Sequence, residues 1–319
     1  MISDGKEQPL VSVGIPTYNR PEYLKRTLDR IVSQSYKNLE IIVSDNCSTD
    51  KQVQKVAREF ASKDHRIKYH IQNKNMGASQ NFKFVLQKAT GKYFMWAADD
   101  DDWNEKFIET GIETLLADSF YQAWFCSVDQ IDNQRRTILE PPSLSCFSST
   151  KNKRADIVKY LHAPKIMMVD CITYSIFERD ALLNVAHYLF NDPRGYCDQF
   201  RMAFLTRYNI IISSSILFHK CISSKSLERM IEEGKALTKY SHRGKNLYES
   251  AFALKRAPRY IRRQYKATKG TGYAGTVLLT LVKMLPASIA AYVVSRIIRK
   301  TRSVTKRAKK LMCHLRQEN

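Results

Sequence analysis

The chain has 319 residues, of which 44% are hydrophobic and 26% charged, a composition that supports a folded core and argues against intrinsic disorder. Its net charge of +21 is unevenly placed: residues 251–319 hold 17 Lys and Arg against one acid, Glu318, and supply +16, so the first 250 residues carry only +5. Seven cysteines, an odd number without a C-x-x-C pair, argue against a disulfide framework or a structural zinc site, and the N-terminus MISDGKEQPLVSV lacks the basic-then-apolar pattern of a signal peptide, so a cytoplasmic protein is expected.

Residues 11–128 alternate short β-rich apolar runs with helical patterns, the signature of βαβ units around a mainly parallel sheet. The run at 11–16 (VSVGIP) reads as the first strand. Pro21 then sits where a helix start tolerates proline, and Leu24, Leu28, Ile31 and Val32 fall on one helical face. LEIIVSD (39–45) is a second strand, 53–61 a second helix, and RIKYHI (66–71) a third strand. Phe82, Val85, Leu86 and Ala89 stripe a third helix, after which Gly91 leads into KYFMWAA (92–98), a fourth strand.

Beyond Asp129 the pattern becomes α+β: ADIVKYL and ERDALLNVAHYL read as helical, CITYSIF and NIIISSSILF as extended, and EPPSLSCFSST as a loop. From about Ser226 the chain is helical, basic and without strand signals, which places a boundary there between residues 1–225 and 226–319. Residues 270–295 are apolar except for Lys283. The length would suffice to span a bilayer, yet a central lysine costs roughly 2.5–3.5 kcal/mol and both flanks are basic. The expectation is an interfacial or re-entrant segment on an anionic cytoplasmic leaflet rather than a span. Basic residues interleaved with aliphatic ones, and no nucleic-acid motif, exclude nucleic acid as the partner.

The sharpest local feature is Asp99-Asp100-Asp101-Asp102 at the end of the fourth strand. Ligands of open α/β sheets bind outside the carboxyl ends of the strands. Four adjacent carboxylates repel one another unless a cation is near, and hard oxygens of this kind suit Mg²⁺ or Mn²⁺ shared with a diphosphate. Pro16-Thr17-Tyr18-Asn19-Arg20 and Asp45-Asn46, with Ser48 and Asp50, end the first two strands. Together the three strand ends describe one crevice, in which Asp45 can accept from a base N–H and Tyr18 can stack on the base. His219 follows an extended run and reads either as a hydrogen-bonded, half-buried side chain or as a metal or phosphate contact, with Lys220 beside it.

VSVGIPTYNR (11–20), IVSDNCSTD (42–50), NMGASQN (75–81) and GKYFMWAADDDDW (91–103), in that order and spacing, resemble family 2 glycosyltransferases of the GT-A type. The resemblance implies an α/β, Rossmann-like GT-A fold with a mixed, mainly parallel sheet flanked by helices, here followed by a C-terminal helical extension. It also implies an inverting, metal-dependent transfer from a nucleotide-sugar donor. Pro16, Thr17 and Tyr18 match the first nucleotide-contacting stretch, with Arg20 beside them; Asp45 matches the base-binding aspartate; Asn75 and Gly77 belong to the matching N-x-G stretch. Asp99 to Asp101 match the D-x-D motif, with Asp101, Asp99 and His219 expected at an Mn²⁺ or Mg²⁺ ion and Asp99 and Asp100 nearer the nucleoside. The run of four leaves that register open by one. Gln80 stands where family members often carry a cation, which shifts diphosphate neutralisation to the metal or to Arg20 or Lys220.

An inverting transfer needs a base for the acceptor hydroxyl. Asp198, in GYCDQFRMAFL, lies at the start of a helical pattern at the family's expected distance past the metal motif and is the candidate, with Asp192 the nearest competitor. The resulting expectation is transfer of a sugar, from UDP-sugar in the first instance, to a hydroxyl of a lipid-linked or glycan acceptor in surface-polysaccharide assembly, on the inner face of the cell membrane. A sugar nucleotidyltransferase and a non-catalytic basic membrane binder are the alternatives.

Overall fold

The computed structural model describes residues 8–132, 134–139, 143–162, 169–190, 198–222, 261 and 263–283. The chain divides into two units, residues 1–156 with 163–224, and residues 157–162 with 225–319.

The first unit is built on nine strands: β1 (Val11–Thr17), β2 (Leu39–Asp45), β3 (Ile67–Ile71), β4 (Tyr93–Trp96), β5 (Asp102–Trp103), β6 (Ala123–Ile131), β7 (Thr137–Leu139), β8 (Ile176–Glu178) and β9 (Ile210–Cys221). They form one sheet in the order β3-β2-β1-β4-β8-β6-β9-β5, with β7 paired to β6. The long ladders β1–β2, β1–β4, β2–β3 and β6–β9 are parallel, while β4–β8, β6–β8, β5–β9 and β6–β7 are antiparallel. β1 and β2 are buried at every position, as strands covered on both faces must be, which explains their Val- and Ile-rich middles, and their polar residues Ser12, Glu40 and Ser44 are hydrogen-bonded.

The helices follow the crossovers: α1 (Pro21–Val32), α2 (Lys51–Lys63), α3 (Ala78–Lys88), α4 (Phe107–Ala117), α5 (Lys153–Leu161), α6 (Arg179–Phe190) and α7 (Asp198–Leu205). Pro21 opens α1, whose Leu24, Leu28 and Ile31 are fully buried. Asp50 caps α2 by accepting from the Gln52 N–H at 2.9 Å, a contact that satisfies one of the orphan donors of a helix start. Gly14 lets α3 come close to the sheet: a Cβ there would lie 2.6 Å from Val85 Cγ2 and 2.9 Å from the Phe94 ring. That close approach brings Asn81 of α3 under the ends of two strands, where its amide donates to Ser44 O at 3.0 Å and Thr17 O at 3.3 Å.

Trp96, at the end of β4, anchors β8, α6 and α7. Its ring meets Phe94, Phe177, Phe190 and Phe200 edge-on at centroid distances of 5.0 to 6.3 Å, and its indole N–H donates to Phe82 O at 3.1 Å. Such edge-to-face pairs add stability beyond area burial and fix orientation. Through them α6 and α7 are held against the strand that carries the acidic motif.

Two expectations are corrected here. CITYSIF is not one extended run: residues 169–174 form a 3-10 helix, turned into β8 by Ser175, whose N–H and hydroxyl both hydrogen-bond Ile172 O. Within the segment read as a loop, Leu144–Phe147 form a short 3-10 helix capped by Ser143. In the second unit residues 263–268 are helical, Gly270 and Gly272 turn the chain at φ of 86° and 76°, and α8 (Ala274–Lys283) follows. Among the described residues no helix is long and apolar enough to cross a membrane. The rest of the expected interfacial segment, 284–295, and most of the basic extension lie outside the described residues.

Candidate active site

The sheet order β2-β1-β4 sets the carboxyl ends of three parallel strands side by side, and the register pairs Thr17 with Asp45. Pro16 is buried within β1 opposite Ser44. The loops beyond these strands are clasped together. Asn19, at φ 54°, accepts from the backbone N–H groups of Thr49 and Asp50 at 2.8 and 3.1 Å, and its own N–H donates to Ser48 Oγ at 2.9 Å. Asn tolerates this left-handed conformation better than most residues, so the YNR stretch can turn sharply out of β1. Tyr18 is left partly exposed at the rim.

Asp45 is fully buried, and each of its oxygens is engaged: Oδ1 accepts from the Ser48 N–H at 2.8 Å and Oδ2 from the Tyr69 hydroxyl at 3.1 Å. Burial, with Asp45 beside it, holds the Tyr69 phenol well above its ordinary range, so it stays a donor. Next to them, Asn46 donates to Asn75 Oδ1 at 2.9 Å and accepts from the Met76 N–H at 2.9 Å. Asn75 also accepts from the Gly77 N–H at 2.8 Å, and Gly77 enters α3 at φ 79°, a conformation that favours glycine. Asn75 and Gly77 thus shape one wall beside Asp45.

The four aspartates are each met by a basic side chain. Asp99 accepts from the Thr17 hydroxyl at 2.8 Å and from Arg20 Nη1 at 3.1 Å; the same Arg20 nitrogen is 3.1 Å from Asp100 Oδ2. Asp101 is fully buried, with Lys220 Nζ 2.8 Å from both of its oxygens and the Cys221 N–H 3.3 Å from Oδ1. Asp102 lies between Arg30 Nε at 2.9 Å and Arg135 Nη2 at 2.8 Å. Charge repulsion within the run is therefore answered by cations of the chain itself. The answer is incomplete. Burial, against the opposing Thr17 hydrogen bond, pushes the Asp99 carboxyl up to about 6. Burial likewise raises Asp101, Lys220 acting in the opposite direction.

Strand alternation sorts these groups onto two faces. Asp102 pairs across β5–β9 with His219, and His219 across β6–β9 with Asp129; Lys220 is the next residue and points the other way. One face carries Trp103, Phe218 and Lys220, with Tyr174 stacked on Phe218 at 5.7 Å and Lys220 Nζ 5.5 Å from the centre of the Tyr174 ring. The opposite face holds His219, whose Nδ1 is 2.6 Å from Asp129 Oδ1; that hydrogen bond, against the cost of burial, raises its pKa. His219 is thus engaged through Nδ1 with Asp129, on the face opposite Lys220.

Among the described residues no three His, Cys, Asp or Glu side chains converge as a ready metal site. Asp99 and Asp101 nevertheless fit a hard divalent cation as a partial ligand set: they are carboxylates whose proton affinity stays elevated despite Arg20 and Lys220, and the donors left to complete a Mg²⁺ shell are ordinarily water and phosphate oxygens. Asp198 opens α7, as expected; its side chain, and all of Asp192, lie outside the described residues. Tyr69, Tyr174, Asp129, Arg30 and Arg135 were not singled out from the sequence. None of these carried a distinguishing signal; Arg30 is one of three basic residues of α1, with Lys25 and Arg26.

The profile of glycosyl transferase family 2 matches residues 12–185. Glycosyltransferase GlyA of Streptococcus pneumoniae is 40% identical over 114 residues, 35% of this chain and 16% of that protein. The GalNAc(5)-diNAcBac-PP-undecaprenol beta-1,3-glucosyltransferase of Campylobacter jejuni is 38% identical over 95 residues, 30% of each chain. The putative teichuronic acid biosynthesis glycosyltransferase TuaG of Bacillus subtilis is 26% identical over 163 residues, 51% of this chain and 56% of its own length. These matches thus span from about a sixth to just over half of the relatives' length. Among solved structures, S. aureus TarS 1–349 with UDP-GlcNAc aligns with a TM-score of 0.55 at 15% identity, covering 96% of this chain and 79% of that one. The Pyrobaculum calidifontis mannosyltransferase PcManGT, with GDP-Man and Mn²⁺, aligns at 0.51 and 16% identity over 97% and 79%. At these identities the structural likeness speaks to the fold, which is GT-A-like.

Proposed function

The chain belongs to glycosyl transferase family 2, and from that premise we propose that it is an inverting enzyme moving a sugar from a nucleoside diphosphate donor, a UDP-sugar, to a hydroxyl of a lipid-linked or glycan acceptor in bacterial surface-polysaccharide assembly. The observation that carries this reading is the convergence of Thr17, Asp45 and Asp99 at three adjacent strand ends, with Arg20 and Lys220 at the acidic motif. Undecaprenol-linked and teichuronic acid chemistry in the names of two relatives supports the acceptor class; UDP-GlcNAc in a fold neighbour supports the donor class. Family membership in a glycosyltransferase family sets aside the nucleotidyltransferase and the non-catalytic binder.

In this reading the nucleoside lies at the strand ends beside Tyr18, Asn75 and Gly77, above Asp45. Tyr69 and Ser48 hold Asp45 in one orientation, so the base meets a fixed acceptor. Asp99 and Asp101 would hold Mn²⁺ or Mg²⁺, which supplies charge neutralisation on the diphosphate leaving group. Thr17 and Arg20 fix Asp99, and Asp100 shares Arg20. Arg20, half-exposed beside the carboxylates, is placed to meet phosphate oxygens by bidentate hydrogen bonding. Asp198, at the start of α7, takes the proton from the acceptor hydroxyl as the glycosidic bond forms. The basic C-terminal extension rests on the anionic cytoplasmic leaflet, where each Lys or Arg near the surface adds about 1 kcal/mol, and brings the site to a membrane-borne acceptor.

The test is product analysis. Incubation with UDP-, GDP- and dTDP-sugars and Mn²⁺ should release a nucleoside diphosphate most strongly from a UDP-sugar. Release of pyrophosphate, or no turnover with any donor and a membrane-derived lipid acceptor, would overturn the reading.

A further inference from the structure

We propose that Lys220 is a resident counter-cation that competes with the divalent metal for Asp101, so that the acidic motif takes up metal efficiently only when a nucleoside diphosphate gives the ammonium another anion to meet. The proposal rests on the reading of Asp99 and Asp101 as metal ligands.

Three observations carry it. First, the contact is two-pronged: Lys220 Nζ lies 2.8 Å from both oxygens of Asp101, and the Cys221 N–H adds a third donor. The carboxylate is fully buried, so a dication reaching these oxygens meets the ammonium already in place. A dication and an ammonium on one buried carboxylate repel each other, so the ammonium weakens the metal's hold until it moves away. Second, Lys220 is built to be held there and to leave. Its Nζ is also 5.5 Å from the Tyr174 ring centre, while its compact ammonium on a flexible four-carbon stem can turn to another anion more freely than a planar guanidinium fork. Third, the neighbouring cation differs. Arg20 straddles Asp99 and Asp100 with half its side chain exposed, whereas the Lys220 side chain is 24% exposed; solvent screens the first contact far more than the second. The barrier to metal uptake therefore sits at Asp101.

The consequence is a linkage. A cation that displaces Lys220 leaves an ammonium without a partner, and a diphosphate bound beside the motif supplies one. Each ligand then tightens the other, and part of that coupling passes through this side chain.

The experiment is direct Mn²⁺ binding to the full chain, read by electron paramagnetic resonance of free Mn²⁺, with and without UDP. Lys220→Met should bind Mn²⁺ alone on the order of ten-fold tighter than wild type and lose most of the gain that UDP brings. Lys220→Arg, which keeps the charge but grips the carboxylate with a planar fork, should bind Mn²⁺ alone no more tightly than wild type. Thermal melting checks that each variant is folded, and Lys220→Gln stands in should Lys220→Met not fold. A merely structural role would lower the melting temperature and leave the coupling to UDP unchanged, and that result would overturn the proposal. If Mn²⁺ alone binds wild type and Lys220→Met alike while UDP still tightens both, the competition fails and the metal reading stands. If no protein binds Mn²⁺ even with UDP, the metal reading falls and the proposal with it.

Discussion

Thr17, the last residue of the first strand, donates its hydroxyl to Asp99 across 2.8 Å, and so joins the end of one parallel strand to the acidic motif beyond another. Both groups are nearly excluded from solvent, where a hydrogen bond to a carboxylate is worth roughly 1.5–3 kcal/mol. Thr17→Val keeps the shape and removes the donor. It should lower stability by about 1–2 kcal/mol in urea titration, less than the full value because Arg20 still reaches Asp99. It should also weaken donor binding, measured by calorimetry with UDP. Thr17→Ser should restore both.

Tyr69 gives the second prediction. Its hydroxyl is 3.1 Å from Asp45 Oδ2, while the Ser48 N–H holds Oδ1. Tyr69→Phe leaves Asp45 buried with one donor, free to turn about the bond that Ser48 alone then restrains. The expected result is UDP binding weakened about five-fold, equivalent to roughly 1 kcal/mol, with a much smaller change in affinity for inorganic pyrophosphate. Equal loss for both ligands would place Tyr69 in general stability and not beside the base.

Much of this arrangement was legible in the sequence because the signals were local. Residues 11–17 and 39–45 form strands where the apolar runs end in polar residues, and the run containing 93–96 ends in the aspartates. The partners of those aspartates were not legible, since Lys220 lies 119 positions from Asp101 and only the β5–β9 ladder brings them together. The β5 strand itself, Asp102 and Trp103, is two residues long, too short for any alternation to announce it. His219 is different: as a neighbour of Lys220 on one strand it faces the other way, toward Asp129. CITYSIF misled because β-branched and aromatic residues fit a 3-10 turn buried in the core as well as they fit a strand.

Glu40 predicts how the fold responds to acid. It sits at the opposite end of the sheet from the site, nearly buried, accepting from the Ser12 hydroxyl at 2.5 Å, Thr90 Oγ1 at 2.9 Å and Lys68 Nζ at 2.9 Å. Burial works against its charge, but the hydrogen bonds from Lys68, Ser12 and Thr90 outweigh it and hold the carboxyl down to about 2. A depressed folded-state pKa contributes stability above the unfolded value near 4.5, and that stability is lost as pH falls from there toward 2. With Lys68 half-exposed and screened, the contribution is about 2 kcal/mol. Glu40→Gln should therefore be less stable than wild type at pH 7, and the difference should narrow steadily below pH 4.5 in urea titrations. A gap that stayed constant down to pH 3 would show that the carboxylate charge is not what Ser12, Thr90 and Lys68 stabilise.

The proposed base makes the sharpest division between binding and chemistry. Asp198 opens α7, on the half of the unit that Phe200 of the same helix packs against Trp96 at the end of the fourth strand. A base for the acceptor hydroxyl acts on bond formation and not on the nucleotide, so Asp198→Asn should cut turnover by about 10²–10⁴-fold while UDP affinity stays at the wild-type value. Asp101→Asn should behave differently, weakening UDP binding in the presence of Mn²⁺ as well as turnover, because the metal joins the protein to the diphosphate. Measuring kcat and the UDP dissociation constant for both variants separates the roles. Asp192→Asn is the control: if it loses turnover and Asp198→Asn does not, the base is the earlier aspartate. If both variants retain turnover, the proton leaves by a group outside this helix start.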